Sequence, residues 1–326
     1  MSVASVVNMD TLESLAREFK NRFETSSGLI HERLAGKEFI FNNDGKDAYP
    51  FAGWSEASDT ETYPIVPGQE QVTIASTDSS CILLGESFEG CVYAVRAAVT
   101  FSCAGLVRGY FRVGPTIVYL SQRGVYGLPS DLEPYELRMA ISDHLIAERI
   151  IRNTVEKRIV AALVSSPQVS IVMADGSLKH PFDVYPASMT RSDSDATLVG
   201  FSKSSSLVAS SRLTGTVSKA IGPAFCAAGE GPVQTLVAKF SNDGLVFRLD
   251  VARPREHLQR VLGLILSNDG FSVGYPESLR VAHHLSVFSR SEDTALKAYL
   301  TRRYRLKHLP AFGLRRMTLG SLSNSG

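Results

Sequence analysis

The sequence predicts an α/β fold built around a mixed sheet. Three observations carry that expectation. From Gln71 to Leu120, short β-prone runs alternate with turn signals. From Pro134 to Val164, apolar residues recur at helical spacing. From Val169 onward, six mostly apolar residues lead into Asp175 and Gly176, as in a buried strand that delivers one acid to its exposed end.

In chain order, Met9 to Phe23 reads as an amphipathic helix, with Leu12, Leu15, Phe19 and Phe23 on one face and Asp10 as N-cap. Residues 24–70 read as irregular and hold the only tryptophan, Trp54. The β region then offers Val72–Ala75 and Cys81–Leu84 on either side of Asp78-Ser79-Ser80, followed by Cys91–Phe101 and a strand within Leu106–Leu120. The helix over Pro134–Val164 carries Glu148 and Glu156 and stops before Pro167. A second short strand, Thr197–Phe201, ends in Ser202 and Lys203. Gly222–Gly231 reads as a glycine- and alanine-rich loop, and Val233–Phe240 and Leu245–Val251 as a hairpin about Asn242-Asp243-Gly244. Helices are expected over Pro254–Leu266, Pro276–Phe288 and Glu292–Tyr304, before a basic and then polar tail.

Composition bounds what the chain can be. With 44% hydrophobic and 21% charged residues it can bury a sizeable core. A net charge of +1 steers nothing globally, so any nucleic-acid surface must be a local patch. Cys81, Cys91, Cys103 and Cys226 lack metal-site spacing and read as reduced, mostly buried thiols, which points to a reducing, cytoplasmic compartment. No apolar run has the roughly 20 residues needed to span a bilayer, and no leader pattern is visible at the N-terminus.

The order of parts from Gln71 to Asp175 is that of a ribonuclease-H-like (PIWI-like) core. Three antiparallel strands precede a crossover helix, and the next strand lies parallel beside the first. Asp78 and Asp175 would then come from adjacent strands, with a helix glutamate in reach. Three convergent carboxylates repel one another unless a divalent cation sits among them, and hard oxygen ligands select Mg2+ or Mn2+. Two such ions can activate water and stabilise the leaving oxygen of a phosphodiester.

The same residues carry a family resemblance. Val72–Phe101, with Asp78-Ser79-Ser80 and Glu89 to Val99, looks like the first motif of the NurA nucleases. Met173 to Leu178 followed by Leu198 to Ser204 resembles their central motif, and Arg152-Asn153-Thr154-Val155-Glu156 their helix motif. Gly274-Tyr275-Pro276 and then Ala282-His283-His284 resembles the C-terminal motif, a tyrosine followed eight residues later by a histidine. The four motifs stand in the family's order over about Gln71–Leu296, with Ser79 where the family commonly has glycine. The resemblance implies a manganese-dependent DNA nuclease that forms a ring-shaped homodimer and works with HerA, a hexameric DNA-translocating ATPase, in processing DNA ends. Carried over, it implies Asp78, Glu156, Asp175 and His283 as metal ligands. It makes Tyr275 and His283 the pair that handles phosphate charge or protons, with Arg152 preceding the helix acid and Lys203 meeting a phosphate.

Glu148 lies two helical turns before Glu156 and is the other acid that the helix offers. Arg302, Arg303, Arg305, Lys307, Arg315 and Arg316, interleaved with Tyr299, Tyr304 and Phe312, could track a phosphate backbone or form a solvated face. The expected division is an extension over 1–70, with aromatics Phe39, Phe41, Phe51 and Trp54 suited to a dimer or partner contact, a nuclease domain over 71–304, and a tail over 305–326. Two rival readings stand beside the nuclease: a non-catalytic DNA-threading clamp for a translocating ATPase, and an RNA-directed nuclease on the same fold.

Overall fold

A computed structural model describes residues 9–36, 38–39, 61–87, 89–128, 132–178, 196–202, 212–229, 233–252 and 258–308. Its centre is a ten-stranded mixed sheet. In chain order the elements are α1 (Met9–Leu34), β1 (Glu38–Phe39), β2 (Tyr63–Pro64), β3 (Ile74–Ser87), β4 (Gly90–Cys103), β5 (Leu106–Ser121), β6 (Gly124–Tyr126), α2 (Pro134–Ser142), α3 (His144–Val164), β7 (Ile171–Asp175) and β8 (Thr197–Ser202). They continue with α4 (Arg212–Lys219), β9 (Ala224–Gly229), β10 (Val233–Lys239), β11 (Phe247–Ala252), α5 (Leu258–Asn268), β12 (Phe271–Ser272), β13 (Tyr275–Pro276), α6 (Glu277–Ser286), α7 (Arg290–Tyr304) and β14 (Lys307–His308).

The strands lie in the order β2-β9-β10-β11-β8-β7-β3-β4-β5-β6. β7 runs parallel to both β3 and β8, and the other neighbours are antiparallel. This delivers the expected arrangement of three antiparallel strands, a helix, and a strand returning parallel beside the first.

Side chains alternate across each strand, so the sheet has two covered faces. Ala75, Cys81, Val99 and Val172 enter one core with Ile151, Val155 and Ile159 of α3. Ile74, Ile171, Val199 and Leu249 enter the other with α5 and Leu279 of α6. α1 starts in the first core through Leu12, Leu15 and Phe19. Its far end, Ile30 and Leu34, packs with Leu300 and Tyr304 of α7 against Leu84, Val92 and Tyr119. The helix therefore passes from one face of the sheet to the other, and it is longer than the expected Met9–Phe23 because both halves find apolar partners.

Three expectations need correction. The helix foreseen over Pro134–Val164 is two helices. Asp143 has extended backbone (φ −150°, ψ 124°), and its carboxylate caps α3 by accepting from the N–H groups of Leu145 and Ile146. The strands foreseen at Val72–Ala75 and Cys81–Leu84 are one continuous strand, because Asp78-Ser79-Ser80 pairs with Ala98, Ala97 and Arg96 instead of turning. Gly222–Gly231 contains a strand, β9, held between β2 and β10. Trp54, Phe41 and Phe51 lie outside the described residues. Among the described residues, no helix is long and apolar enough to cross a membrane.

Candidate metal centre and active site

Asp78 sits at the middle of β3, and Asp175 is the last residue of β7. The parallel register pairs Thr77 with Ala174, so the two aspartates are neighbours across the strand pair, on the face covered by α6. The turn after Asp175 is held by close packing. Gly176 N–H donates to Phe201 O at 2.8 Å. A Cβ on Gly200 would lie 2.7 Å from Gly176 O and 2.8 Å from Leu178 Cγ, so β8 needs a glycine where the turn crosses it. Beneath, the buried carboxylate of Asp250 accepts from Ser177 Oγ at 2.6 Å, Leu178 N–H at 3.1 Å and Thr235 Oγ1 at 2.8 Å, and it pairs with the buried Arg248. A buried ion pair with its remaining lone pairs satisfied in this way adds little net stability, and these bonds tie the turn after Asp175 to β10 and β11.

α6 brings the imidazole. Ser278 N–H donates to Asp269 Oδ1 at 3.2 Å, and Ser278 Oγ donates to the other oxygen of the same carboxylate. Ser76 Oγ of β3 lies 2.6 Å from Ser278 Oγ, and Thr100 Oγ1 of β4 donates to Ser278 O at 2.7 Å. Burial pushes the Asp269 carboxyl up to about 6 against these hydrogen bonds, which pull it down. At the other end of the helix, Arg96 of β4 donates to Glu292 at 2.6 Å and lies 4.5 Å from the Phe288 ring centre, pinning the α6–α7 corner. That hydrogen bond, with backbone donation from Ser289, holds Glu292 down at about 2.

So fixed, α6 places His283 Nδ1 2.8 Å from Asp78 Oδ2, and Ser286 Oγ, one turn on, donates to the same oxygen at 3.0 Å. Asp78 is 6% exposed, whereas the His283 side chain is 45% exposed and opens the site to solvent. From β13, Tyr275 donates its hydroxyl to Asp175 Oδ1 at 3.2 Å. Its ring is fixed edge-on against Phe201 and tilted against Phe247. Burial, then the Asp175 charge and hydrogen bond, push the phenol far above its ordinary value, which suits it to donate to Asp175.

Ligand atoms of Asp78, Asp175 and His283 all lie within 4.8 Å of one another. Two carboxylates and an imidazole offer hard oxygen and borderline nitrogen donors, a set that fits Mn2+ or Mg2+. A neutral ring that donates Nδ1–H to Asp78 carries its lone pair on Nε2, the arrangement usual for a metal-binding histidine. The cluster thus differs from the three convergent carboxylates that the element order suggests: histidine completes it.

Glu156 stands outside that triad. It is buried on α3, on the opposite face of the sheet, and accepts from Ser79 Oγ at 2.6 Å. Ser79 follows Asp78 directly, so the strand carries the two acids on its two sides. Ser79 keeps ordinary strand backbone, and its side chain is what reaches Glu156. Glu148 accepts from Leu83 N–H at 2.9 Å, where the β3–β4 register shifts, and so lies farther along the strand from Asp78. Arg152 is half-buried one turn before Glu156. Arg302 and Arg303 are exposed in the last turn of α7, away from the cluster. Lys203, Arg315 and Arg316 lie outside the described residues.

Sequence reasoning missed Ser286, Ser79, Asp269 and the Arg248–Asp250 pair. Ser286 was within reach, three residues after His283 on the same helical face. The others depend on contacts made across the sheet.

No protein-family model matches the sequence, and none of the curated proteins does. Among solved structures, the chain is similar to the NurA nuclease from Sulfolobus solfataricus, with 12% identity and a TM-score of 0.46 over 93% of this chain and 97% of that one. It is also similar to NurA bound to dAMP and manganese, with 10% identity and a TM-score of 0.46 over 75% and 92% of the two chains. NurA with manganese gives 10% identity and 0.42 over 74% and 91%. These three neighbours are NurA nucleases, the family that the sequence motifs resemble.

Proposed function

We propose that the chain is a metal-dependent DNA nuclease on a ribonuclease-H-like core, acting in DNA end processing beside a HerA-like translocating ATPase, as a homodimer. The observation that carries the reading is the convergence of Asp78, Asp175 and His283 from β3, β7 and α6. These are three of the positions that the motif resemblance singles out, and Asp78 and His283 are 205 residues apart in the chain. A clamp that merely threads DNA needs no such cluster.

Asp78, Asp175 and His283 would hold the cation, and Glu156, across the sheet, would act on the site only through Ser79 and β3. A divalent ion there supplies positive charge for the developing phosphate oxyanions and an acidified water. The chain's own residues do the rest. Tyr275 and Ser286 donate to the two aspartates and fix which lone pairs face the ion. His283, its Nδ1 held by Asp78 and its side chain half open to solvent, would offer the Nε2 lone pair to the cation. Lys203, Arg152, Arg302 and Arg303 would meet phosphates.

The test uses labelled single-stranded and duplex DNA with Mn2+, Mg2+ or chelator, in parallel sets with and without the partner ATPase. Wild type cuts with Mn2+. Asp175→Asn keeps the side chain's size and its link to Tyr275 but loses the charge that holds a hard cation, so cutting is lost while DNA binding persists. Intact substrates under every condition would leave the clamp as the surviving reading. An RNA strand in the same assay separates a ribonuclease, and light scattering of the chain alone tests the dimer.

A further inference from the structure

The first half of β5 presents a surface that the metal centre does not use. Arg108, Tyr110 and Arg112 are exposed, while Val107, Gly109 and Phe111 between them are half-buried. Tyr110 is 61% exposed. The register ties this face to the metal centre: Asp78 pairs with Ala98, and Ala98 with Arg112, while Ser76, Thr100 and Tyr110 form the adjacent row. Directly paired residues point to the same side of a sheet. Arg112 and Tyr110 therefore stand on the face of Asp78 and α6, two strands away, or about 10 Å between backbones. Arg112 makes only a 3.8 Å ion pair with Glu292, whose closer partner is Arg96.

We propose that this strip binds single-stranded DNA beside the catalytic centre, an inference that rests on the nuclease reading above. Arg108 and Arg112 would contact phosphates, and Tyr110 would stack on an unpaired base. Tyr110 and Arg112, alternate residues on one strand face, stand about 7 Å apart, comparable to the step of an extended single strand, and Arg108 is exposed at the bulge just beyond Tyr110. A cation, an aromatic and a cation in that order are the elements of a sequence-tolerant single-strand platform. A duplex hides the base faces that Tyr110 would need. The outer edge of β5 is also poorly suited to pairing with a second copy. β6 covers only Tyr119–Ser121, and Pro115, with no N–H, interrupts the remainder. Arginines along an edge further discourage strand addition.

The experiment measures anisotropy of a labelled single-stranded oligodeoxynucleotide in chelator, so that hydrolysis plays no part, over a series of salt concentrations. In Arg108→Gln with Arg112→Gln, affinity falls and the slope of log K against log salt flattens by about 0.7 per arginine. Tyr110→Ala weakens binding roughly tenfold with the slope unchanged, and Tyr110→Phe restores it. Manganese-dependent cutting of a dinucleotide, which makes few contacts beyond the metal site, falls less in the variants than cutting of a long single strand. The proposal is overturned if wild type does not bind the strand, or if the substitutions leave affinity and slope unchanged. It is equally overturned if they instead change the sedimenting mass, which would make the strip a contact between copies. The nuclease reading fails separately, by absence of manganese-dependent cutting of any substrate by the wild type.

Discussion

Ser79 Oγ reaches Glu156 at 2.6 Å while its neighbour Asp78 faces His283 at 2.8 Å, so one step along β3 carries polar groups to both faces of the sheet. The strand pays for this in lost apolar packing, and Ser76, Asp78 and Ser79 recover partners from α3 or α6.

The Ser79–Glu156 contact separates the two helix acids. Glu156→Gln retains an oxygen for Ser79 to donate to, so the fold should persist, and cutting should fall far less than in Asp175→Asn, because Glu156 lies across the sheet from the cluster. Glu148→Gln retains the acceptor for Leu83 N–H and should leave cutting near wild type. Parallel rate and melting measurements decide, and a reversed pattern would transfer the role to Glu148.

Tyr275→Phe keeps the ring contacts with Phe201 and Phe247 and removes only the donor to Asp175. Stability should fall by about 1 kcal/mol. Manganese affinity, followed by the electron-paramagnetic-resonance signal of the free ion, should fall roughly 10- to 100-fold.

Gly200→Ala tests the turn under Asp175. The new Cβ meets a backbone oxygen and Leu178, which cannot both yield without moving Gly176. Destabilisation of about 1–3 kcal/mol in urea is expected, with weaker manganese binding because Asp175 shifts with the turn. Unchanged metal affinity in a destabilised protein would show that the turn does not position the acid.

Asp269 should make stability depend on pH in a definite sense. Its folded value is raised to about 6 from 3.8, so the folded state binds the proton more tightly than the unfolded state. The resulting stabilisation is complete below about pH 4 and disappears as pH rises through 6, and it amounts to a few kcal/mol at about 1.4 kcal/mol per unit. Measured against Asp269→Asn, which cannot titrate there, wild type should gain stability as pH falls from 7 to 4. Glu292, held near 2, acts in the opposite sense and at lower pH, losing its contribution as pH falls below 4.5. A flat difference between wild type and variant from pH 7 to 4 would refute the assignment to Asp269.

The local sequence was enough for the elements and for the acids at their ends. Alternating and helical periodicities are written in neighbouring residues, so β4, β5, α3 and β7, and with them the parallel placement of β7 beside β3, were legible. Asp175 before Gly176, and Tyr275 eight residues before His283, stood out because a strand end and a short helix leave the spacing intact. Only the tertiary structure decided the rest. Asp78-Ser79-Ser80 resembles a turn by composition, and it is a strand because α3 and α6 supply hydrogen bonds to its polar side chains from opposite faces. Whether Glu148 or Glu156 meets Ser79 depends on how far α3 slides along β3, and the apolar stripe of a helix does not encode that register. Histidine, rather than a third carboxylate, completes the triad because Asp269, Ser278, Thr100 and Arg96 fix α6 over β3 and β4, through contacts between residues far apart in the chain.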